Sequence, residues 1–375
     1  MTAMRQTPYF AKQQALGAEL VDRIGFSAAY HYGSIREEHL AVRSGVGIFD
    51  VYYQVMVAVL GPDAGRLLDR LCVNDISGMK PGSVRYTSLC NPAGGMIDDL
   101  TLFCFSERDY RLAPTPSRVP TVLQWLETHR DGHEVSIVNL GYRDAYLSIQ
   151  GPRSRELISN LTDVDIGGDA LGYFRFTSGA VAGVPDTVIS RTGYSGELGY
   201  ELFYPSEYAS HMWDSLMEAG KPFDIRPCGL GALVTLRMEK KYPLYGLDIS
   251  EDTTPVEADL GWTLRPGKGD FIGKPVLQEQ KEKGTTRVLV LLAADDTSTA
   301  FAIGDTIVSD NRTVGAVTSA ATGHSVGKSL AMGYVEIQSA ADQTALEIVS
   351  KAGAHTAVRV HRKPIYDPEG SRVRR

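Results

Sequence analysis

The chain has 375 residues, 43% hydrophobic and 22% charged, and its 38 basic against 45 acidic residues give a formal net charge of −7. At roughly 150 residues per domain the length suggests two or three domains, with a core large enough to need no disulfide or metal staple. This composition excludes wholesale disorder, and the acidic excess argues against nucleic acid as the main partner, because phosphate recognition wants basic groups.

The N-terminal stretch Met1–Pro8 has no apolar run of signal-peptide length. Val51–Leu60 (VYYQVMVAVL) reads as a strand. Gly65–Val73 reads as a helix, with Leu67, Leu68, Leu71 and Cys72 at helical spacing. Met96–Phe105 and Tyr146–Gln150 read as strands, and Ser206–Ala219 as a helix with Tyr208, Met212 and Leu216 on one face and Gly220 at its end. Lys281–Arg287 is charged, reads as flexible, and marks a domain boundary. Beyond it, Val288–Ala293 is a strand, and the turn-rich segment to Val360 suggests a small barrel or sandwich. Strands and helices interleave irregularly, which points to an α+β fold. The longest apolar run, Val288–Ala294, is seven residues, too short to span a membrane. Cys72, Cys90, Cys104 and Cys228 form neither a CxxC nor a disulfide framework, so a reducing, cytoplasmic location is expected.

Several motifs fail on spacing. Gly323-His324-Ser325-Val326-Gly327 matches a GxSxG nucleophile elbow, but the chain left beyond it is too short for the acid and histidine that fold needs, so a turn is the plainer reading. Gly327-Lys328-Ser329 lacks the first glycine of a phosphate loop, Gly267–Lys274 is one residue too long, and Gly229-Leu230-Gly231 lacks a third glycine. His129 and His133 are separated by a turn-forming Asp131-Gly132, so no metal site is expected.

Two segments remain. In Gly94–Phe103 (GGMIDDLTLF), adjacent carboxylates open an apolar strand. Neighbours on a strand point to opposite faces, so Asp98 lies with Leu100 and Leu102, and Asp99 with Thr101 and Phe103 on a face suited to a cleft. An acid there could take a proton or stabilise a developing cation; the same pair could also cap a hairpin after Asn91-Pro92. In Arg191–Glu201 (RTGYSGELGYE), a glycine-rich turn mixes aromatics and acids. A carboxylate among aromatic faces can grip the amidine-like edge of a flat heterocycle, although a tight surface hairpin reads equally well.

Taken together, HYGSIREEHLAVRSGVGIFDV (31–51), NPAGGMIDDL (91–100), QGP (150–152), SRTGYSGELGYELF (190–203), PCGLGA (227–232), LRMEKKYPLYGLDI (236–249), TPVEADLGW (254–262), KGDFIGKPVL (268–277), VGAVTSAATGHSVGKSLAMGYV (314–335) and RKPIYDP (362–368) resemble, in order, the folate-binding aminomethyltransferase family, whose namesake is the T-protein of the glycine cleavage system. The resemblance implies a three-domain, cloverleaf-like fold with a C-terminal β-barrel. Residues 1–285 would form the folate-binding region, as two interleaved subdomains (1–50 with 140–245, and 51–139 with 246–285), and 286–375 the barrel. It implies tetrahydrofolate as one-carbon acceptor, Asp99 as the acid near the reacting folate nitrogens, Glu201 as the acid on the pterin edge, and Tyr86, Tyr194 and Tyr242 as pocket tyrosines.

Departures from the family pattern fall on the donor side. Tyr52-Tyr53-Gln54 replaces Ser-His-Met, Thr115 stands for an asparagine, Leu233 stands where the T-protein has an arginine, and Phe26 replaces a tryptophan. With Tyr52, Tyr53 and Thr115 as candidate substrate contacts, the expectation is a stand-alone demethylase acting on a small methylated amine, sulfonium compound or aryl methyl ether. A small-molecule methyl or aminomethyl donor would then be its partner, with no nucleic acid and no membrane. The alternatives are a glycine-cleavage T-protein working with a lipoylated carrier protein, and a non-catalytic folate-binding accessory protein. Relatives of the last kind carry Lys-Gly-Cys-Tyr, where this chain has Lys268-Gly269-Asp270-Phe271.

Overall fold

A computed structural model describes residues 4–375; the first three residues of the N-terminal stretch read above lie outside the described residues. The segment Arg287–His361 closes into an antiparallel barrel with strand order Arg287–Ala293, Lys328–Glu336, Arg312–Gly323, Thr306–Ser309, Ala345–Val349 and His355–His361. Closure leaves this sheet no free edge. Val288, Val290 and Leu292 fill the barrel core with Ile307, Val317 and Ile348, while Leu289, Leu291 and Ala293 pack outward on Met238 and Ile365. Burial on both faces explains why this strand is apolar without alternation.

The rest of the chain builds two larger sheets and a small one. A six-stranded sheet has the order Phe176–Val181, Val184–Ser190, Gly199–Pro205, Asp144–Gln150, Val46–Asp50 and Ile225–Pro227. A five-stranded sheet has the order Ser83–Cys90, Met96–Ser106, Asp109–Ala113, Val57–Leu60 and Ser136–Asn139. Arg5–Gln6, Phe26–His31 and Glu19–Arg23 form the third, with Phe26–His31 central.

The helix Leu230–Glu239 joins these parts. It packs on the helix Ile35–Ser44, the strand Phe26–His31 and the barrel strand Arg312–Gly323. Seven of its ten residues are buried, so it lacks the polar stripe of a surface helix. Its start is fixed by close approach: a Cβ on Gly229 would lie 2.3 Å from the Tyr30 carbonyl oxygen.

A buried polar knot seals this junction. Arg43, on the Ile35–Ser44 helix, donates to Glu239 (2.9 Å), to the Ser195 carbonyl (2.8 Å) and to Glu197 (3.4 Å). His39 is wholly buried, with Nδ1 2.8 Å from the Thr235 hydroxyl and Nε2 2.7 Å from the Ser325 hydroxyl. Ser325 sits in the hairpin turn between the barrel strands Arg312–Gly323 and Lys328–Glu336. Its GxSxG context is thus a turn, and its hydroxyl serves as an interdomain bond to a histidine sealed from solvent. Hydrogen bonds from His39 and the charge of Arg43 hold Glu239 down to about 2 against the cost of burial.

Three sequence expectations need correction. The Val51–Leu60 strand begins only at Val57. Before it, the chain turns around Asp50, whose carboxylate accepts from the Tyr52 N–H (3.0 Å), and the Gln54 N–H bonds the Val51 carbonyl (2.9 Å). β-Branched and aromatic residues there satisfy a buried turn as well as a strand. The Lys281–Arg287 stretch is not a flexible linker at its start: Lys281–Lys283 end the helix Lys274–Lys283, and Lys281 is tied to the Leu264 carbonyl (2.9 Å). The Ser206–Ala219 helix opens with a 3₁₀ turn at Ser206–Tyr208, leaving Tyr208 38% exposed while Met212, Trp213 and Leu216 enter the core.

Replacing Arg43 by Met would leave Glu239 buried without its arginine, while Glu197 would keep Arg372 at 3.4 Å. Urea unfolding should show a loss of about 3–5 kcal/mol, several times that of an exposed pair such as Lys283–Glu279.

Candidate functional site

The hairpin Ser83–Cys90/Met96–Ser106 sets the two carboxylates. Its register pairs Ser88 with Asp99, Tyr86 with Thr101 and Leu89 with Asp98, so the two acids face opposite ways. Asp98 enters the core, fully buried. One of its oxygens accepts from the Thr115 N–H (2.9 Å), and the other has no partner. Burial, and then the neighbouring charge of Asp99, raise its carboxyl well above the usual range. Thr115 is therefore placed against Asp98, on the side of the strand away from Asp99.

Asp99 is partly exposed and accepts from the Tyr86 hydroxyl at 2.8 Å. Burial raises it to about 6; the Tyr86 hydrogen bond opposes the shift and the charge of Asp248 adds to it. The Tyr86 ring stacks on Trp262 (centroids 5.8 Å apart, 20° between planes), and Trp262 is 57% exposed.

The second acid is set by the six-stranded sheet. Glu201 lies opposite Ser190 on one neighbour and Ser148 on the other. The Thr192 hydroxyl donates to its carboxylate; burial raises it, and Thr192 and then Tyr146 oppose the shift. The preceding loop is not a surface hairpin: from Arg191 to Gly199 only Gly193 and Tyr194 are partly exposed. Gly196 takes φ +80°, where a side chain would also strike Lys240. Tyr194 emerges from this loop, stacks on Tyr242 (5.6 Å, 28°) and donates to the Pro243 carbonyl at 2.5 Å.

Several tyrosines feel the two acids. The charge of Glu201 adds to the burial that raises Tyr173, and the charge of Asp99 adds to the burial that raises Tyr194 and Tyr86. Arg237, from the central helix, braces the ring. It donates to Asp248 (2.9 Å), the Tyr242 carbonyl (3.2 Å) and the barrel's Ser319 hydroxyl (2.9 Å). Among the described residues neither Asp99 nor Glu201 is ion-paired; both are held by hydroxyl groups. Two surface clefts, of about 310 and 1030 Å³, lie elsewhere and include none of these side chains.

Tyr52 and Tyr53 do not stand together as an aromatic cage. Tyr53 is 5% exposed and joins a core cluster with Phe26, Tyr146 and Phe203. Tyr52 donates to the Tyr142 carbonyl at 2.9 Å and meets Phe26 edge-on at 6.0 Å. Leu233 packs partly buried against the same cluster. Sequence reasoning missed Tyr146, Tyr173, Thr192, Arg237 and Asp248. Thr192, Arg237 and Asp248 fall inside segments that carried the resemblance, but only the fold reveals which atoms they meet.

Asp99 costs more to ionise in the fold than in the unfolded chain. Its raised value makes the native state bind the extra proton, so this group destabilises progressively as pH rises from about 4 to about 6. Asp99→Asn removes that cost. Its melting temperature relative to the parent should climb across this window and then level off, as thermal unfolding at several pH values would show.

Comparison with known proteins follows the same boundaries. Residues 9–268 match the GCVT N-terminal domain, and residues 287–367 the glycine cleavage T-protein C-terminal barrel domain. The chain is 37% identical over 356 residues to an aminomethyltransferase of Halothermothrix orenii, covering 94% of this chain and 98% of that one. It is 38% identical over 371 residues to one of Streptomyces coelicolor, with 97% and 98% covered. The crystal structure of glycine cleavage system aminomethyltransferase T from Bartonella henselae superposes with a TM-score of 0.88 at 27% identity, covering 97% of this chain and 99% of that chain.

Proposed function

Because the chain belongs to the glycine cleavage T-protein family of aminomethyltransferases, we propose that it moves an aminomethyl-derived carbon from a lipoylated carrier protein to tetrahydrofolate, in the cytoplasm. This replaces the expected stand-alone demethylase as the leading reading. The relatives at 36–38% identity that cover nearly the whole chain are named aminomethyltransferases. A cationic donor is also poorly served by Tyr52 and Tyr53, because guanidinium groups already lie by these aromatics: Arg23 is 5.7 Å from the Tyr53 ring, and Arg5 is 4.0 Å from Phe26, which meets Tyr52 edge-on.

The observation that carries the reading is a pair of half-buried carboxylates, Asp99 and Glu201, each held by a hydroxyl donor and, among the described residues, neither ion-paired. Such acids want a neutral, donor-rich partner with an amidine-like edge, and a reduced pterin has that character. Tetrahydrofolate, when bound, supplies the nitrogen nucleophile that receives the carbon. Glu201 would accept from the pterin's amino-pyrimidine edge, and Tyr86, Tyr194 and Tyr242 would bound the ring. Asp99 would hold the proton shed by the reacting nitrogen and stabilise the cation that forms there, a task suited to a carboxyl that titrates near 6. Tyr86 orients it through the 2.8 Å hydrogen bond.

With an aminomethylated lipoyl carrier and tetrahydrofolate, the enzyme should release ammonia and form 5,10-methylene-tetrahydrofolate; no release would remove the carrier from this account. Asp99→Asn should lower kcat by about 10²-fold or more while folate binding persists. Glu201→Gln should instead weaken folate binding measured by calorimetry by about tenfold or more.

A further inference from the structure

We propose that Arg5 and Arg23, set on either side of Phe26, form a carboxylate-binding subsite beside the folate pocket. The inference rests on the pocket reading above and adds to it the chemistry of a second ligand group.

The small three-stranded sheet aligns these residues. Arg5 pairs with Phe26 across one edge of the central strand, and Arg23 pairs with Phe26 across the other. Directly opposed residues share a face, so both arginines lie on the face of the sheet that carries Phe26. Arg5 lies 4.0 Å from the Phe26 ring and 4.9 Å from the Tyr142 ring, and Arg23 lies 5.7 Å from Tyr53. Aromatic faces hold the cations without neutralising them. Among the described residues neither guanidinium is ion-paired.

Arg23 carries the sharper signal. Its Nε is buried and has no hydrogen-bond partner. A buried N–H left unmade costs about 1–3 kcal/mol, so native proteins seldom leave one empty. Nε together with a terminal nitrogen is an edge that binds a carboxylate through two parallel bonds. Leu233, packed in the same cluster, offers no competing charge.

The row is continuous with the pocket. Arg23 lies 5.7 Å from the Tyr53 ring, Tyr53 packs with Tyr146 in one cluster, and Tyr146 stands two residues along its strand from Ser148, which lies opposite Glu201. A ligand whose ring meets Glu201 could therefore place a carboxylate against Arg23. The glutamate tail of tetrahydrofolate has such a group, and so does a small amino-acid donor.

Calorimetry separates the sources. Tetrahydrofolate and 6-methyltetrahydropterin (the same reduced ring with no carboxylate) would be titrated into the parent, Arg23→Gln, Arg23→Lys and Arg5→Gln. N-methylglycine would be titrated into each protein already saturated with 6-methyltetrahydropterin. A loss of about tenfold for tetrahydrofolate in Arg23→Gln, with 6-methyltetrahydropterin unchanged and Arg23→Lys intermediate, supports the subsite and assigns it to the folate tail. Loss confined to N-methylglycine supports it and assigns it to a donor carboxylate. Parent-like affinity for all three ligands in both glutamine variants overturns the proposal. Failure of the parent to bind tetrahydrofolate would instead overturn the pocket reading.

Discussion

The constraint on which the site depends is that two half-buried carboxylates stay without a cation. Burial alone would drive each to hold its proton. Hydroxyl donors reduce that cost without cancelling it: Tyr86 for Asp99, and Thr192 with Tyr146 for Glu201. An arginine or lysine would stabilise these acids more strongly but would occupy the positions a ligand needs and pull Asp99 far below the pH range where proton exchange is useful. The chain keeps its strong ion pairs one layer away. Arg237 is spent on Asp248, and Arg43 on Glu239.

That separation depends on the helix Leu230–Glu239. It reaches Tyr242 through Arg237, the first sheets through Glu239 and Arg43, and the barrel through Ser319 and Met238. Since one rigid element serves all these parts, the barrel takes part in shaping the pocket although it supplies none of the proposed pterin contacts. Its hairpin at Ser325 also closes over His39, which explains a serine in a catalytic-looking sequence that has no catalytic surroundings.

The fold class and the terminal barrel were legible because they rest on long patterned segments, such as the apolar strand at 287–293 and the helix at 209–219. The strand period also told which of two adjacent acids enters the core, since alternation is a property of the backbone. What the sequence concealed was longer-range. Val51–Met56 has strand-forming residue types yet turns, because Asp50 offers a nearby acceptor. Thr115 is far from Asp98 in the chain, and only the turn after Ala113 brings its N–H there. Tyr52 and Tyr53 read as candidate substrate contacts, but their partners, Tyr142 and Arg23, come from a loop and a strand whose approach no local pattern encodes.

The stacking of Trp262 on Tyr86 has an optical consequence. Of the three tryptophans, Trp213 is sealed in a core and Trp125 lies beside His129, whereas Trp262 is largely in water and touches the ring whose hydroxyl holds Asp99. Its indole emission therefore senses the polarity and rigidity of that corner. The molecule carries its own fluorophore next to the acid proposed to hold the proton, so entry of the proposed ligand would be readable in real time without attaching a dye.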